Sequence, residues 1–276
     1  SMYWLPFVIF AIIVVGLPHE LAHGIGAQLG NIPILSSGVY AVLVFFGAFV
    51  EQDEKEFEKS SLLARLRMLS AGSAVNLITA LLAFLLLMGL FAAPAGTMIY
   101  DVRPNTPLFR SGASLQRWDV IQAINGTSVS TYGQYTDYMR NVGPNVTVTL
   151  TILHANRREN ITLVTVPNPS NSSKGIVGFE VWFVPDYYPN RVGLDQYAGV
   201  NLYWTIFWTH ILALSVAIFN MLPLYPFDGE RVLYYPLERL MKKRRRELRI
   251  ALNGFTLGLI ALNAILSLWM YGLLRF

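Results

Sequence analysis

Gly16-Leu17-Pro18-His19-Glu20-Leu21-Ala22-His23-Gly24 lies inside a long apolar run. On a helix, residues four apart share a face, so His19 and His23 can turn both imidazoles toward one metal ion with Glu20 beside it. A catalytic zinc takes three protein ligands and keeps one position for water, whose pKa falls toward about 7. Glu20 is placed to take that water's proton and later to hand one to a leaving amine. The stretch predicts a helix carrying the chemistry of a zinc hydrolase.

Working outward, hydrophobic residues make up 54% of the 276 and charged residues 14%, against about 25% charged in a soluble domain. An integral membrane protein is expected. There is no cysteine, which excludes disulfides, thiolate ligands and a cysteine nucleophile. The net charge of +4 belongs to one basic cluster beside a span, and no aromatic-basic surface pattern points to nucleic acid. Ser1-Met2 reads as a scar ahead of a native start, which leaves room for a segment upstream.

Tyr3 to about Leu29 is long enough to cross a bilayer and lacks a signal-type cleavage site. His19 lies roughly 24 Å along it from Tyr3, inside the membrane but nearer the far face. Ionisable residues at that depth are costly and usually functional. Ile34 to Glu51, rich in β-branched and aromatic residues and marked by Gly38 and Gly47, reads as a re-entrant pair of strands. Its edge could pair with an unwound substrate segment, or the hairpin could serve packing alone. Gln52 to Arg67 is charged and helical in pattern, a surface element on the metal's side. The second span runs from Met68 to Phe91. It is entered through Ala71-Gly72-Ser73-Ala74-Val75-Asn76, whose small residues allow close helix approach. Asn76 either bonds a neighbouring helix or lies beside the active site.

After Ala93-Pro94-Ala95-Gly96 the composition changes. Thr97 to about Pro185 has strand-like runs, Val146 to Leu153 and Asn160 to Val166 among them. The expected division is 1–95 membrane part, 96–186 soluble domain and 187–276 membrane part. Four N-x-S/T sequons, at Asn125, Asn145, Asn160 and Asn171, all fall in the soluble segment, which fits an extracytoplasmic face. Gly199 to about Pro223 is the third span. Beyond it Pro223 and Pro226 break the helix just where Asp228 arrives, sensible for a third metal ligand; the alternative is an aspartate capping a helix that begins near Gly229. Asn220 can hold a substrate carbonyl or a developing oxyanion. His210 and His154 read as packing residues. Glu238 to Arg249 contains Lys242-Lys243-Arg244-Arg245-Arg246, and a fourth span follows from about Ile250 to Leu274. Short Lys/Arg-rich loops stay cytoplasmic. The termini and the inserted domain are therefore expected outside, and the metal near the cytoplasmic face.

Together these pieces resemble the site-2 protease family of intramembrane zinc metalloproteases. The resemblance rests on His19-Glu20-Leu21-Ala22-His23, Gly47-Ala48-Phe49-Val50-Glu51, Ala71-Gly72 through Asn76, and Asn220 through Pro223 leading to Asp228-Gly229. It implies one zinc ion per chain held by His19, His23 and Asp228, with Glu20 as base. Asn220 would engage the substrate backbone, and Asn76 and Gly47 would lie on the substrate side. The inserted segment looks like a PDZ domain of bacterial and archaeal proteases, through Val102-Arg103-Pro104-Asn105-Thr106-Pro107, Ser111-Gly112-Ala113 and Asp119 to Gly126. Trp118 stands where that pattern has glycine. Gly175-Ile176-Val177-Gly178-Phe179 resembles the loop that binds a terminal carboxylate, with the strand from Phe179 accepting a peptide; alternatively the domain only excludes bulky substrates.

The fold expected is thus a polytopic α-helical membrane protein of about four spans, with a re-entrant β-hairpin and an inserted α+β PDZ-like domain. The expected reaction is hydrolysis of a peptide bond in or next to the transmembrane segment of a single-pass membrane protein, the outer domain accepting substrates already trimmed by a site-1-type protease. A divalent-metal transporter and an inactive peptide-binding scaffold are the rival readings. Few further polar residues line the spans, and the Glu between the histidines favours hydrolysis.

Overall fold

The computed structural model describes residues 2–42, 45–240 and 245–271. Of the basic run, Lys242, Lys243 and Arg244 lie outside the described residues. In chain order the elements are α1 (Leu5–Leu29), β1 (Ile34–Val42), β2 (Phe45–Gln52), α2 (Glu54–Lys59) and α3 (Leu62–Leu90), followed by β3 (Thr97–Met98), β4 (Asp101–Val102), α4 (Pro107–Arg110), β5 (Val120–Ile124), β6 (Thr127–Ser128), α5 (Tyr132–Met139), β7 (Thr147–His154), β8 (Arg157–Val164), β9 (Val166–Asn168), β10 (Asn171–Ile176) and β11 (Phe179–Glu180). The chain continues through α6 (Gln196–Asn220), α7 (Asp228–Leu240) and α8 (Arg245–Tyr271). Among the described residues, four helices, α1, α3, α6 and α8, are long and apolar enough to cross a membrane.

Two compact units form, 1–84 with 205–276, and 85–204. The divisions fall inside α3 and α6, because the end of α3 and the start of α6 pack within the second unit. There Phe91 meets the Tyr203 ring edge-on at 5.2 Å, and Tyr203 stacks on Tyr188 at 5.1 Å.

In the first unit, α1 and α3 approach so closely that a Cβ on Gly26 would lie 2.9 Å from the Met68 Cα, the packing that small residues permit. Val15, Ala80 and Ala213 form one core cluster. Ala27, Ile32, Phe57, Met68, Tyr234, Tyr235 and Leu248 belong to another. Large apolar side chains such as Leu77, Leu81 and Ile250 stay exposed, as lipid-facing positions do. β1 and β2 pair antiparallel, with Gly38 opposite Phe49 and Tyr40 opposite Gly47. The hairpin rests on α1, where Gly24 leaves room for the Val50 side chain.

Several boundaries differ from the sequence reading. Gln52 to Arg67 is not one helix: Asp53 accepts the Lys55 and Glu56 N–H groups to cap α2, which ends at Lys59, and α3 begins at Leu62 rather than Met68. The span admits Arg65 in its first turn because the guanidinium lies over the Tyr235 ring, 4.5 Å from its centre. α6 begins at Gln196 rather than Gly199 and stops at Asn220, before Pro223 and Pro226.

The second unit is α+β. Its five-stranded sheet runs β3-β5-β7-β8, with β6 on β5. Ile121, Ile124, Val148, Leu150 and Ile152 are buried under Leu108 and Val177. In β7, Val148, Leu150 and Ile152 alternate inward, as a strand with one covered face requires. Trp118, at the position where glycine was expected, does adopt a left-handed φ of 75°. Its ring is buried between Tyr100 and Trp204 and its backbone N–H donates to the Ile99 carbonyl, which offsets a strain of order 1–3 kcal/mol.

Candidate active site

The first unit brings His19, His23 and Asp228 together. One helical turn of α1 sets the two imidazoles edge to face, with Nε2 atoms 3.1 Å apart. Asp228, the first residue of α7, puts Oδ2 3.2 Å from His23 Nε2. The three ligand atoms lie within 4.8 Å of one another. α7 begins at Asp228 itself rather than near Gly229, so the carboxylate belongs to the helix's first turn. A Cβ on Gly229 would fall 2.2 Å from the Met221 carbonyl; only glycine lets the 221–227 turn fold this tightly under the helix start.

The rings are held from behind. His23 Nδ1–H donates to the Met68 carbonyl at 2.8 Å, which leaves Nε2 as the free lone pair. The Asn76 carboxamide, fully buried, lies 2.9 Å from His19 Nδ1. The Asn220 carboxamide lies 2.9 Å from His19 Nε2, on the side where Asp228 also points. Gly72 faces both rings: a Cβ there would sit 2.4 Å from His23 Nε2 and 2.6 Å from His19 Cε1. Two imidazole nitrogens and one carboxylate oxygen around a space kept clear by a glycine form the donor set of a catalytic zinc site. The residues present fit that metal.

Glu20 is half-buried one residue along α1. It accepts a hydrogen bond from the backbone of Val50 in β2 and sits in the field of His23 and Asp228. Gly47 stands in β2 directly across from Tyr40, whose ring covers it; a Cβ would meet Tyr40 Oη at 2.6 Å. Gly72 was read only as a packing residue in sequence, although its spacing of four from Asn76 places both on one face of α3. His210 packs as expected, with Nδ1 2.9 Å from the Ala80 carbonyl. His154 does not merely pack. Its Nδ1 lies 2.9 Å from Oδ2 of the fully buried Asp119, which also accepts the Tyr197 hydroxyl and the Gln116 N–H.

In the second unit, Gly175 donates to the Val142 carbonyl. Gly178 takes φ 96° with Thr106 against its Cα, and its carbonyl accepts Arg103 N–H and the Thr106 hydroxyl. The Val177 carbonyl accepts the Leu108 N–H, whereas the Val177 and Gly178 N–H groups have no acceptor among the described residues. Phe179 pairs with Val102, and its ring meets Tyr135 of α5 edge-on at 5.1 Å.

Residues 7–264 match the model of peptidase family M50. The chain belongs to that family. It is 30% identical over 268 residues to the uncharacterized protein MJ0971 of Methanocaldococcus jannaschii, covering 94% of this chain and 66% of that one. It is 25% identical over 272 residues to the zinc metalloprotease RasP of Shouchella clausii, covering 79% and 64%. The chain thus spans just under two thirds of the length of these relatives. Among solved structures, the PDZ domain of the SdrC-like protein Lin2157 from Listeria innocua is 21% identical over 31% of this M50 chain and 91% of that domain, with a TM-score of 0.27. The corresponding domain of Lmo2051 from Listeria monocytogenes is 17% identical over 32% and 88%, with a TM-score of 0.28.

Proposed function

We propose that this chain is an intramembrane zinc metalloprotease of the site-2 type, hydrolysing a peptide bond in or next to the transmembrane segment of a single-pass membrane protein. The observation that carries the reading is Glu20 set beside the His19, His23 and Asp228 ligand atoms on a helix long and apolar enough to span. His19, His23 and Asp228 would hold one zinc ion, which when bound would supply Lewis-acid polarisation of the scissile carbonyl and a nucleophilic water at neutral pH.

The chain's own residues do the rest. Glu20 accepts the proton released on attack and returns it to the leaving amine nitrogen. The Asn220 carboxamide donates to the substrate's carbonyl oxygen as charge develops there. A helical substrate hides its scissile carbonyl in its own hydrogen bonds, so a section unwinds first, pairing with the β1–β2 hairpin edge. Charge bias puts the Lys/Arg-rich loop, and with it the metal-site end of the spans, at the cytoplasmic face and the inserted domain outside. That domain takes the new C-terminus of a substrate trimmed by another protease, and the free Val177 and Gly178 N–H groups support this carboxylate role.

The test is cleavage of a single-pass substrate by the purified chain in detergent, wild type against Glu20→Gln, with bound zinc measured in both and the wild type repeated with a chelator. Cleavage lost in Glu20→Gln with zinc retained, and lost on chelation, supports the mechanism. Undiminished cleavage by Glu20→Gln overturns it, and zinc bound without cleavage by either form moves the scaffold and transporter readings ahead.

A further inference from the structure

Away from the metal ligands, the first unit contains a cavity of about 410 Å³ lined by Glu58, Arg65, Tyr234, Tyr235, Glu238 and Arg249. Among the described residues, no aliphatic side chain lines it. It lies where α3 and α8 begin, Arg65 in the first turn of one candidate span and Arg249 in the first turns of the other. The first turn of a spanning helix lies at the depth of lipid headgroups. Leu63, two residues before Arg65, and Ile250, next to Arg249, expose their side chains and offer an apolar track for acyl chains.

The charges in this cavity are incompletely matched. Arg249 Nε is 3.2 Å from the buried Glu230, and its guanidinium lies 4.2 Å over the Tyr234 ring. Arg65 stacks on Tyr235, yet its Nε is buried without an acceptor. Among the described residues, no carboxylate lies within ion-pairing distance of Arg65 and no cation within that distance of Glu58. A stacked guanidinium keeps its edge N–H groups for a planar fork that suits phosphate oxygens. A carboxylate on the same wall suits an ammonium. The two arginines already occupy a face of each tyrosine ring, the surface a quaternary ammonium would need, so an ammonium with N–H donors fits better than a trimethylated one.

We propose that this cavity binds the headgroup of a phospholipid bearing a primary amine, of the phosphoethanolamine kind, with Arg65 on the phosphate and Glu58 on the ammonium. Such a lipid ties α2, α3, α7 and α8 together at the membrane surface.

The test uses the full chain, delipidated in detergent and titrated with dioleoylphosphatidylethanolamine, dioleoylphosphatidylcholine, dioleoylphosphatidylglycerol or free O-phosphoethanolamine, counting adducts by native mass spectrometry. The expected result is one ethanolamine lipid retained about tenfold more tightly than the choline or glycerol lipid, with the preference reduced to about twofold or less in both Arg65→Gln and Glu58→Gln. Arg140→Gln, on the other unit, should leave the preference intact. Thermal melting is run on each variant, and if Arg65→Gln melts early, Arg65→Lys replaces it; that variant keeps the charge but loses the fork and should still weaken retention. Equal retention of all three lipids, or a preference unchanged in the variants, overturns the proposal. Tighter glycerol-lipid binding would make the site a simple anion site and also overturns it. Free O-phosphoethanolamine bound as tightly as the lipid overturns the lipid source; weak or no binding of it, beside retained lipid, supports that source.

Discussion

Asn76 and His19 meet across α3 and α1, the carboxamide 2.9 Å from the ring's Nδ1 in a place with no access to solvent. Turned with its oxygen toward the ring, the carboxamide accepts Nδ1–H and leaves the Nε2 lone pair for a metal. Asn76→Leu should weaken zinc retention about 10- to 100-fold, the usual size of such orienting bonds. Competition with a chelator of known affinity measures this without any substrate. Zinc retention equal to wild type would reduce Asn76 to a packing residue.

Gly72→Ala tests the cleared space. The added Cβ would fall 2.4 Å from His23 Nε2 and 2.6 Å from His19, so zinc content should drop to background while the chain remains helical by circular dichroism. Gly89→Ala, with open space around its Cα, is the control and should bind zinc normally.

Asp119 is fully buried and accepts three hydrogen-bond donors or near-donors, from Gln116, Tyr197 and His154. Asp119→Ala leaves the Gln116 N–H and the Tyr197 hydroxyl without this acceptor, with an expected loss of about 1–3 kcal/mol in the inserted domain. Tryptophan fluorescence melting of the full chain reads it, because Trp118 lies next in sequence and Trp204 packs on that ring.

Burial pushes the Tyr135 phenol well above its ordinary range. The folded state favours the neutral form, so this contribution is intact below the unfolded pKa of about 10 and is lost as pH rises beyond it. The domain should therefore loosen in alkali, and Tyr135→Phe should move the alkaline fluorescence transition to higher pH. A transition that does not move would place the sensitivity elsewhere.

The His19, His23 and Asp228 cluster was legible in sequence because its constraint is local: a spacing of four fixes His19 and His23 on one face, and a proline-broken helix end announces Asp228. Asn76 could be placed on a span but not assigned, since its meaning depends on how α1 packs against α3, a tertiary fact. The same limit hid Gly72, read only as a small packing residue. Asp119 appeared only as part of a PDZ-like motif, and its partners Tyr197 and His154 lie 78 and 35 residues away. Span ends slipped by several residues where Arg65 was taken for a surface charge; a stacked tyrosine 170 residues later in the chain made the difference.

Asp228 arrives more than two hundred residues after His19 and His23. While the ribosome is still translating, the histidines enter the membrane early, and the carboxylate is supplied only after the whole inserted domain and α6 have been made. An unfinished or prematurely stopped chain therefore carries His19, Glu20 and His23 without the carboxylate, and cannot close the three-residue cluster.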